Sequence, residues 1–154
     1  MSKVKSYWLM KSEPDVYSWD DLVAEGEGTW DGVRNYTARN NMRAMQPGDQ
    51  AFFYHSNIGK EIVGIVEVIR ESAPDSTTDD PRWDCVMVRA QRAFKRPVSL
   101  EDCKVVPGLE AMVRHHSTFF GKALRIFLLF FKQAFGYKQR KIRVHVTGFF
   151  EHSI

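Results

Sequence analysis

Short runs of alternating apolar and polar positions, separated by turn residues, dominate the first two thirds of this chain. Such a pattern predicts strands with small helices between them. Tyr7-Trp8-Leu9-Met10 reads as a first strand, ended by Ser12-Glu13-Pro14-Asp15, where proline removes a backbone donor and aspartate favours a turn. Ser18, three residues before Asp21, marks a helix start resembling a capping box, which predicts a brief helix over 19–24 that Gly26 and Gly28 break. Ala38, Met42 and Met45 fall at helical spacing and predict a second helix from Thr37 to Met45, stopped by Pro47-Gly48-Asp49. Gln50 to His55 is an aromatic strand. Ile62 to Ile69 is apolar on both faces, as in a strand buried on both sides. Cys85 to Ala93 alternates Val86, Val88 and Ala90 with Met87, Arg89 and Gln91, which predicts a strand with one wet face, and Ser99 to Asp102 opens another short helix. Long crossover helices are missing, so a doubly wound sheet is disfavoured and an α+β domain or mixed β-barrel is expected.

The last part of the chain has another texture. Eight of the eleven phenylalanines fall after residue 118. Ala123, Ile126, Phe127, Phe130, Ala134 and Phe135 share one helix face, with little polar surface opposite. Ile142, Val144 and Val146 alternate with Arg143, His145 and Thr147 and suit a final strand. Ala123 to Phe131 is nine residues long, interrupted by Arg125 and stopped by Lys132. Crossing a bilayer takes about 20 apolar residues. The run is too short.

Charge follows the same division. Residues 1–110 carry 14 Lys/Arg and 18 Asp/Glu, whereas residues 111–154 carry 8 Lys/Arg and one acid, Glu151. The net charge of +3 therefore conceals an acidic body and a basic end. A basic face can attract phosphate backbones or anionic membranes, and it can equally be a solvated surface. Cys85 and Cys103 lack metal-ligand spacing, and the polar opening residues are no secretory signal, so reduced thiols in a cytoplasmic protein, or a nuclear one in a eukaryote, are expected.

Few residues suggest catalysis. His115-His116 are sequence neighbours that do not converge on one metal from a helix or strand, and no Gly-rich phosphate loop is present. Ser12 beside Glu13 has no base nearby in sequence, and Asp20-Asp21 read as acids at a helix N-terminus. His55, between Tyr54 and Ser56 at a strand end, is the best acid/base candidate, although a lone histidine there more often forms a hydrogen-bonding wall. The segment Trp30-Asp31-Gly32-Val33-Arg34-Asn35 is richer. Tryptophan stacks on flat rings, arginine and asparagine read base edges, and glycine admits close backbone approach. A packed loop, with Trp30 in the core and Asp31-Gly32 as a turn, accounts for the same residues equally well.

Several stretches read together resemble the EVE family: 7–14, 18–22, the long block Trp30-Asp31-Gly32-Val33-Arg34-Asn35-Tyr36-Thr37-Ala38-Arg39-Asn40-Asn41-Met42-Arg43, then Phe53-Tyr54-His55-Ser56-Asn57, 63–68 and 97–100. The resemblance implies a PUA-like β-barrel (a pseudobarrel) with short interleaved helices, related to the YTH domain. It implies a non-catalytic module that recognises a modified base in DNA or RNA through an aromatic pocket, with no cofactor and no metal. By position, Trp30 would stack on the base, while Lys11 and Ser12 line the pocket from the first strand. Val33, Arg34 and Asn35 would add contacts from the loop, with Tyr54, His55 and Ser56 on the facing wall.

The resemblance fades after about residue 117. Residues 1–117 are expected to be the EVE domain. Residues 118–154 are expected to be an atypical basic, Phe-rich segment, a replaced or frameshifted end of the same domain, in which 141–146 is a candidate closing strand. A monomer is expected. The competing functions are a small enzyme acting on nucleobases or nucleotides through His55 and Glu13, and a protein-interaction or membrane-surface module using the basic tail.

Overall fold

The computed structural model describes residues 6–105 and 143–147. Its elements are β1 (Ser6–Ser12), α1 (Trp19–Glu25), β2 (Glu27–Trp30), α2 (Tyr36–Ala44), β3 (Gln50–His55), β4 (Glu61–Pro74), β5 (Asp84–Ser99), α3 (Leu100–Lys104) and β6 (Arg143–Thr147). They form one mixed sheet in the order β2-β5-β4-β3-β1-β6. β1 runs parallel to both β3 and β6, and the remaining pairs are antiparallel. A parallel pair needs a crossover. Between β1 and β3 the crossover is the α1–β2–α2 segment.

That segment carries the core. Trp19 and Leu22 of α1, Trp30 of β2 and Ala38 and Met42 of α2 pack with Trp8, Met10, Phe53, Val66, Val68, Val86 and Val88 of the sheet. Helix α2 packs against β4, β5 and β6. This is the α+β, PUA-like architecture expected from the sequence.

Local chemistry sets the boundaries. Ser18 and Asp21 form a reciprocal capping box at α1, and Gly26 caps its other end at φ 79°. The turn after α2 is held by Asp49, whose carboxylate accepts from Gln46 N–H and from Trp8 Nε1 across the core, each at 3.0 Å. Along β4, Ile62, Gly64, Val66 and Val68 are buried while their neighbours are half-exposed. At Gly64 a side chain is excluded: a Cβ there would lie 2.4 Å from the Trp19 ring and 2.7 Å from Arg92 O.

Two features differ from expectation. β2 replaces what reads as breaker sequence around Gly28, because antiparallel pairing with β5 compensates for its shortness. β4 and β5 run past their apolar stretches to Pro74 and Ser99, with repeated register shifts along their pairing. The closing strand is present as β6 beside β1, whereas the Phe-rich helix face and His115-His116 lie outside the described residues.

Candidate functional site

The C-terminal ends of β1 and β3 place five of the nine expected site residues together. Their register sets Lys11 beside Tyr54 and Ser12 beside His55. Side chains alternate faces along a strand, and Met10 and Phe53 belong to the core. Ser12 and His55 therefore share the core face, and Lys11 and Tyr54 the other. Ser56 joins the corner by donating to Ser12 O from its N–H at 2.8 Å and from its hydroxyl at 3.2 Å. Ser12 itself is buried, and its hydroxyl donates to Tyr17 O at 2.6 Å. That oxygen is occupied in holding the β1–α1 turn, which leaves the nucleophile reading without geometric support.

His55 has a comparable structural task. Its Nε2 accepts the N–H of Trp19 at 3.1 Å, in the first turn of α1. The first N–H groups of a helix lack intrahelical partners, so the imidazole acts as a second cap. Accepting at Nε2 requires the neutral ring with its proton on Nδ1. Burial lowers the pKa of His55, against the opposing charges of Glu61 and Asp20. Lys11 is also pushed down by burial, with Glu13 opposing.

Behind this corner stands an aromatic cluster centred on Phe53. Trp30, His55 and Trp19 approach it edge-to-face at 5.4, 5.5 and 5.6 Å between centroids. Tyr17 meets Trp30 at 6.2 Å and 81°. Such edge-to-face pairs add to area burial. Trp30 and Phe53 have 0% exposed surface, so in this conformation Trp30 presents no face to a ligand, and the half-buried members are Tyr17 and His55. The placement of Trp30 follows from β2, where Gly28 and Trp30 are the buried alternate positions.

From Trp30 the chain turns through Gly32 at φ 70° toward α2. Val33 is fully buried. Arg34 and Asn35 are engaged within the protein. Asn35 caps α2, its side-chain oxygen accepting from Ala38 N–H at 2.9 Å. Arg34 donates to Asp75 Oδ2 at 2.7 Å, to Val33 O at 3.1 Å and to Thr77 Oγ1 at 3.1 Å, and its guanidinium lies 5.7 Å from the Trp83 ring centre.

Asp75 is the residue that sequence reasoning missed. Its side chain is 0% exposed and accepts from Gly32 N–H at 3.0 Å, Arg34, Thr77 N–H at 2.8 Å and Thr77 Oγ1 at 2.6 Å. Burial alone would raise its pKa, but these hydrogen bonds outweigh it and hold the carboxyl below its ordinary value. The β4–β5 loop thereby clamps the Trp30–Asn35 loop. Nearby, Asp31 is shifted upward by burial and by Asp75, with Arg34 opposing. The only signal in the sequence was Asp75-Ser76-Thr77, a common turn composition; nothing in it identifies donors more than forty positions away.

The expected residues thus divide around one aromatic cluster, with Lys11 and Tyr54 on the opposite face of the sheet. Ser12, His55 and Ser56 border it at the strand ends, Trp30 lies within it, and Arg34 and Asn35 lie beyond it at α2. No group of three or more His, Cys, Asp or Glu among the described residues is placed to hold a metal ion. None of their helices is long and apolar enough to cross a membrane.

The family model for the EVE domain matches residues 6–120. The chain belongs to the EVE domain family. Among its relatives, mouse thymocyte nuclear protein 1 is 42% identical over 127 residues, 66% of this chain and 56% of the relative. This EVE chain therefore spans little more than half the length of the curated relatives it matches. A crystal structure of a protein from Agrobacterium tumefaciens is 54% identical, with a TM-score of 0.68 over 73% of this chain and 80% of its own. The human THYN1 protein, solved in complex with 5-methylcytosine-containing DNA, is 35% identical, with a TM-score of 0.62 over 80% of this chain and 84% of its own.

Proposed function

We propose that this EVE domain is a non-catalytic module that recognises a modified base in DNA or RNA. The observation that carries the reading is the likeness to a relative solved with DNA containing 5-methylcytosine. The geometry supports it through a dense aromatic cluster bordered by polar groups at the ends of β1 and β3. A base entering such a site gives up its stack at a cost of a few kcal/mol. Contact with aromatic rings returns about 1–3 kcal/mol, and one buried methyl adds about 0.8 kcal/mol. No bond need be made or broken.

In this reading Ser12, His55 and Ser56 form the near wall that meets the base edge, with Lys11 and Tyr54 on the opposite face of the same strand ends. Trp30 and Val33 form the far wall, with Arg34 and Asn35 at its rim. Because Trp30 is fully covered here, stacking on it requires its neighbours to move aside, and one of them is the half-buried ring of Tyr17, 6.2 Å away edge-on. The reading takes residues 1–117 as the binding domain and 118–154 as a replaced or frameshifted end of it. Pairing of β6 with β1 supports treating that end as part of the same domain. A monomer in the cytoplasm, or in the nucleus of a eukaryote, completes the reading; the name of the mouse relative supports the nuclear alternative.

The enzyme alternative receives less support, since the ring nitrogen that would take a proton already accepts from Trp19 N–H. The test is direct titration of the full chain with matched duplexes carrying 5-methylcytosine or cytosine, at two salt concentrations. A methyl-dependent gain of several-fold that persists at the higher salt is expected. Equal, weak and salt-sensitive binding to both would leave only phosphate attraction and overturn the reading.

A further inference from the structure

The turn joining β3 to β4 is built unlike the other turns among the described residues. Asn57, Gly59 and Lys60 all adopt positive φ, at 63°, 81° and 51°. For residues with a Cβ that conformation is sterically costly, and here it is tied down at both ends. At one end Ser56 N–H donates to Ser12 O at 2.8 Å, and Ile58 N–H donates to Ser56 O at 2.7 Å. At the other, Leu100 N–H donates to Lys60 O at 2.8 Å. Between these anchors stands Ile58, 59% exposed, with the exposed Lys60 two positions on.

Single exposed apolar residues are ordinary on protein surfaces. Ile58 differs in its setting. It is held outward on a pinned turn rather than folded onto the nearby core, and the turn begins at Ser56, on the rim of the proposed base site. Removing a base from a duplex leaves a gap between its neighbours, and proteins that distort duplexes fill such gaps with apolar wedges. A β-branched side chain also has few rotamers to lose on insertion. The neighbouring ammonium is suited to a flanking phosphate.

We infer that Ile58 is a wedge that enters the base stack of a double-stranded nucleic acid as the modified base leaves it, with Lys60 contacting the adjoining phosphate. This rests on the base-reading function and adds to it a double-stranded substrate and a device for opening it. The prediction separates paired from unpaired targets. Ile58 helps where a base must be pulled from its stack and contributes little where it is already free.

The experiment compares wild type, Ile58→Ala and Ile58→Leu on three probes that share one strand with a single 5-methylcytosine. The probes are the fully paired duplex, the duplex with a mismatch opposite the methylated base, and the single strand. Unchanged thermal unfolding of the variants confirms that the exposed position is not needed for folding. Ile58→Ala should lose about tenfold in affinity for the paired duplex, equivalent to about 1.4 kcal/mol, and less than about twofold on the other probes, where the base is already free. Ile58→Leu should stay near wild type on all three. Lys60→Ala should lower the salt dependence of duplex binding by about one phosphate contact. Equal losses on all three probes, or no loss on the paired duplex, would overturn the wedge while leaving base reading intact. Wild type that binds methylated and unmethylated versions of every probe equally would overturn both.

Discussion

The loop Trp30–Asn35 and the corner formed by Ser12, His55 and Ser56 flank the same aromatic cluster, yet they use their polar groups differently. The loop turns inward. Arg34 and the Gly32 N–H are drawn onto the buried carboxylate of Asp75, Asn35 caps α2, and Trp30 is fully covered. The corner also satisfies its backbone internally, but His55 remains half-buried at the surface, as do Lys11 and Tyr54 on the opposite face of the same strand ends. Dense, costly residue types therefore do not by themselves mark a ligand contact. In the loop they secure the wall, and the corner offers more surface to a guest.

The largest effect that separates the two flanks is on stability. Trp30→Ala empties the centre of the core and should cost about 3–5 kcal/mol, as aromatic-to-alanine changes in cores do. Chemical denaturation should show it before any binding assay does. A Trp30→Ala protein that unfolds at the wild-type denaturant concentration would show that the tryptophan is peripheral and the loop is free to meet a ligand.

Asp75→Ala comes next. It strands the Arg34 guanidinium and the Gly32 N–H without their acceptor, a loss of about 3 kcal/mol for a broken buried pair. The pH dependence follows from the depressed carboxyl. Unfolded, the group titrates near its ordinary value of about 3.9. The stability it confers is complete above that value and disappears as pH falls through the lower folded one. Urea unfolding at pH 7 and pH 3 should show a smaller acid loss in Asp75→Asn than in wild type. Parallel losses would remove Asp75 from the account.

Asn35 permits a finer division. Asn35→Ala removes the cap of α2 and should cost about 1 kcal/mol. Asn35→Asp keeps the cap, since aspartate is an equally good N-cap, but exchanges an amide donor for a carboxylate. If Asn35 also contacts the base, Asn35→Asp should bind methylated DNA at least about tenfold more weakly at near-normal stability, one lost polar contact being worth about 1–3 kcal/mol. Unchanged affinity would assign the residue to the helix alone.

How much of this was legible depended on the range of the interaction. The Ser18–Asp21 box, the α2 stripe of Ala38 and Met42 and the aromatic strand Gln50–His55 are written within a few positions of the chain, and each element formed where its pattern lies. β2 was hidden because its Gly28 reads as a breaker, while the structure uses that absent side chain to admit the Tyr17 hydroxyl: a Cβ there would lie 2.2 Å from it. The outer reaches of β4 and β5 were hidden because their exposed residues carry no apolar alternation. The density of the Trp30–Asn35 block was visible. Which of its groups are already spent was not, because Asp75 is distant in sequence, and neither was the covering of Trp30.

The smallest effect belongs to His55 and tests the corner directly. Its Nε2 can accept from Trp19 N–H only while the ring is neutral, and burial already disfavours the charged form. The folded pKa is therefore below the unfolded one, ordinarily about 6.5, and the unfolded chain binds the proton more readily. Stability from this group is complete above that unfolded value and is lost as pH falls through the folded value. His55→Ala should remove one hydrogen bond, worth about 0.5–1.5 kcal/mol, and with it this part of the slope between pH 7 and pH 5. The protection factor of the Trp19 amide, its exchange relative to the intrinsic rate at the same pH, should fall on acidification in wild type and be low at both pH values in the variant. If Trp19 protection in wild type ignores pH, the imidazole is not its cap. His55 would then be a half-buried base with a free nitrogen at the mouth of the site, and the catalytic alternative would regain its best residue.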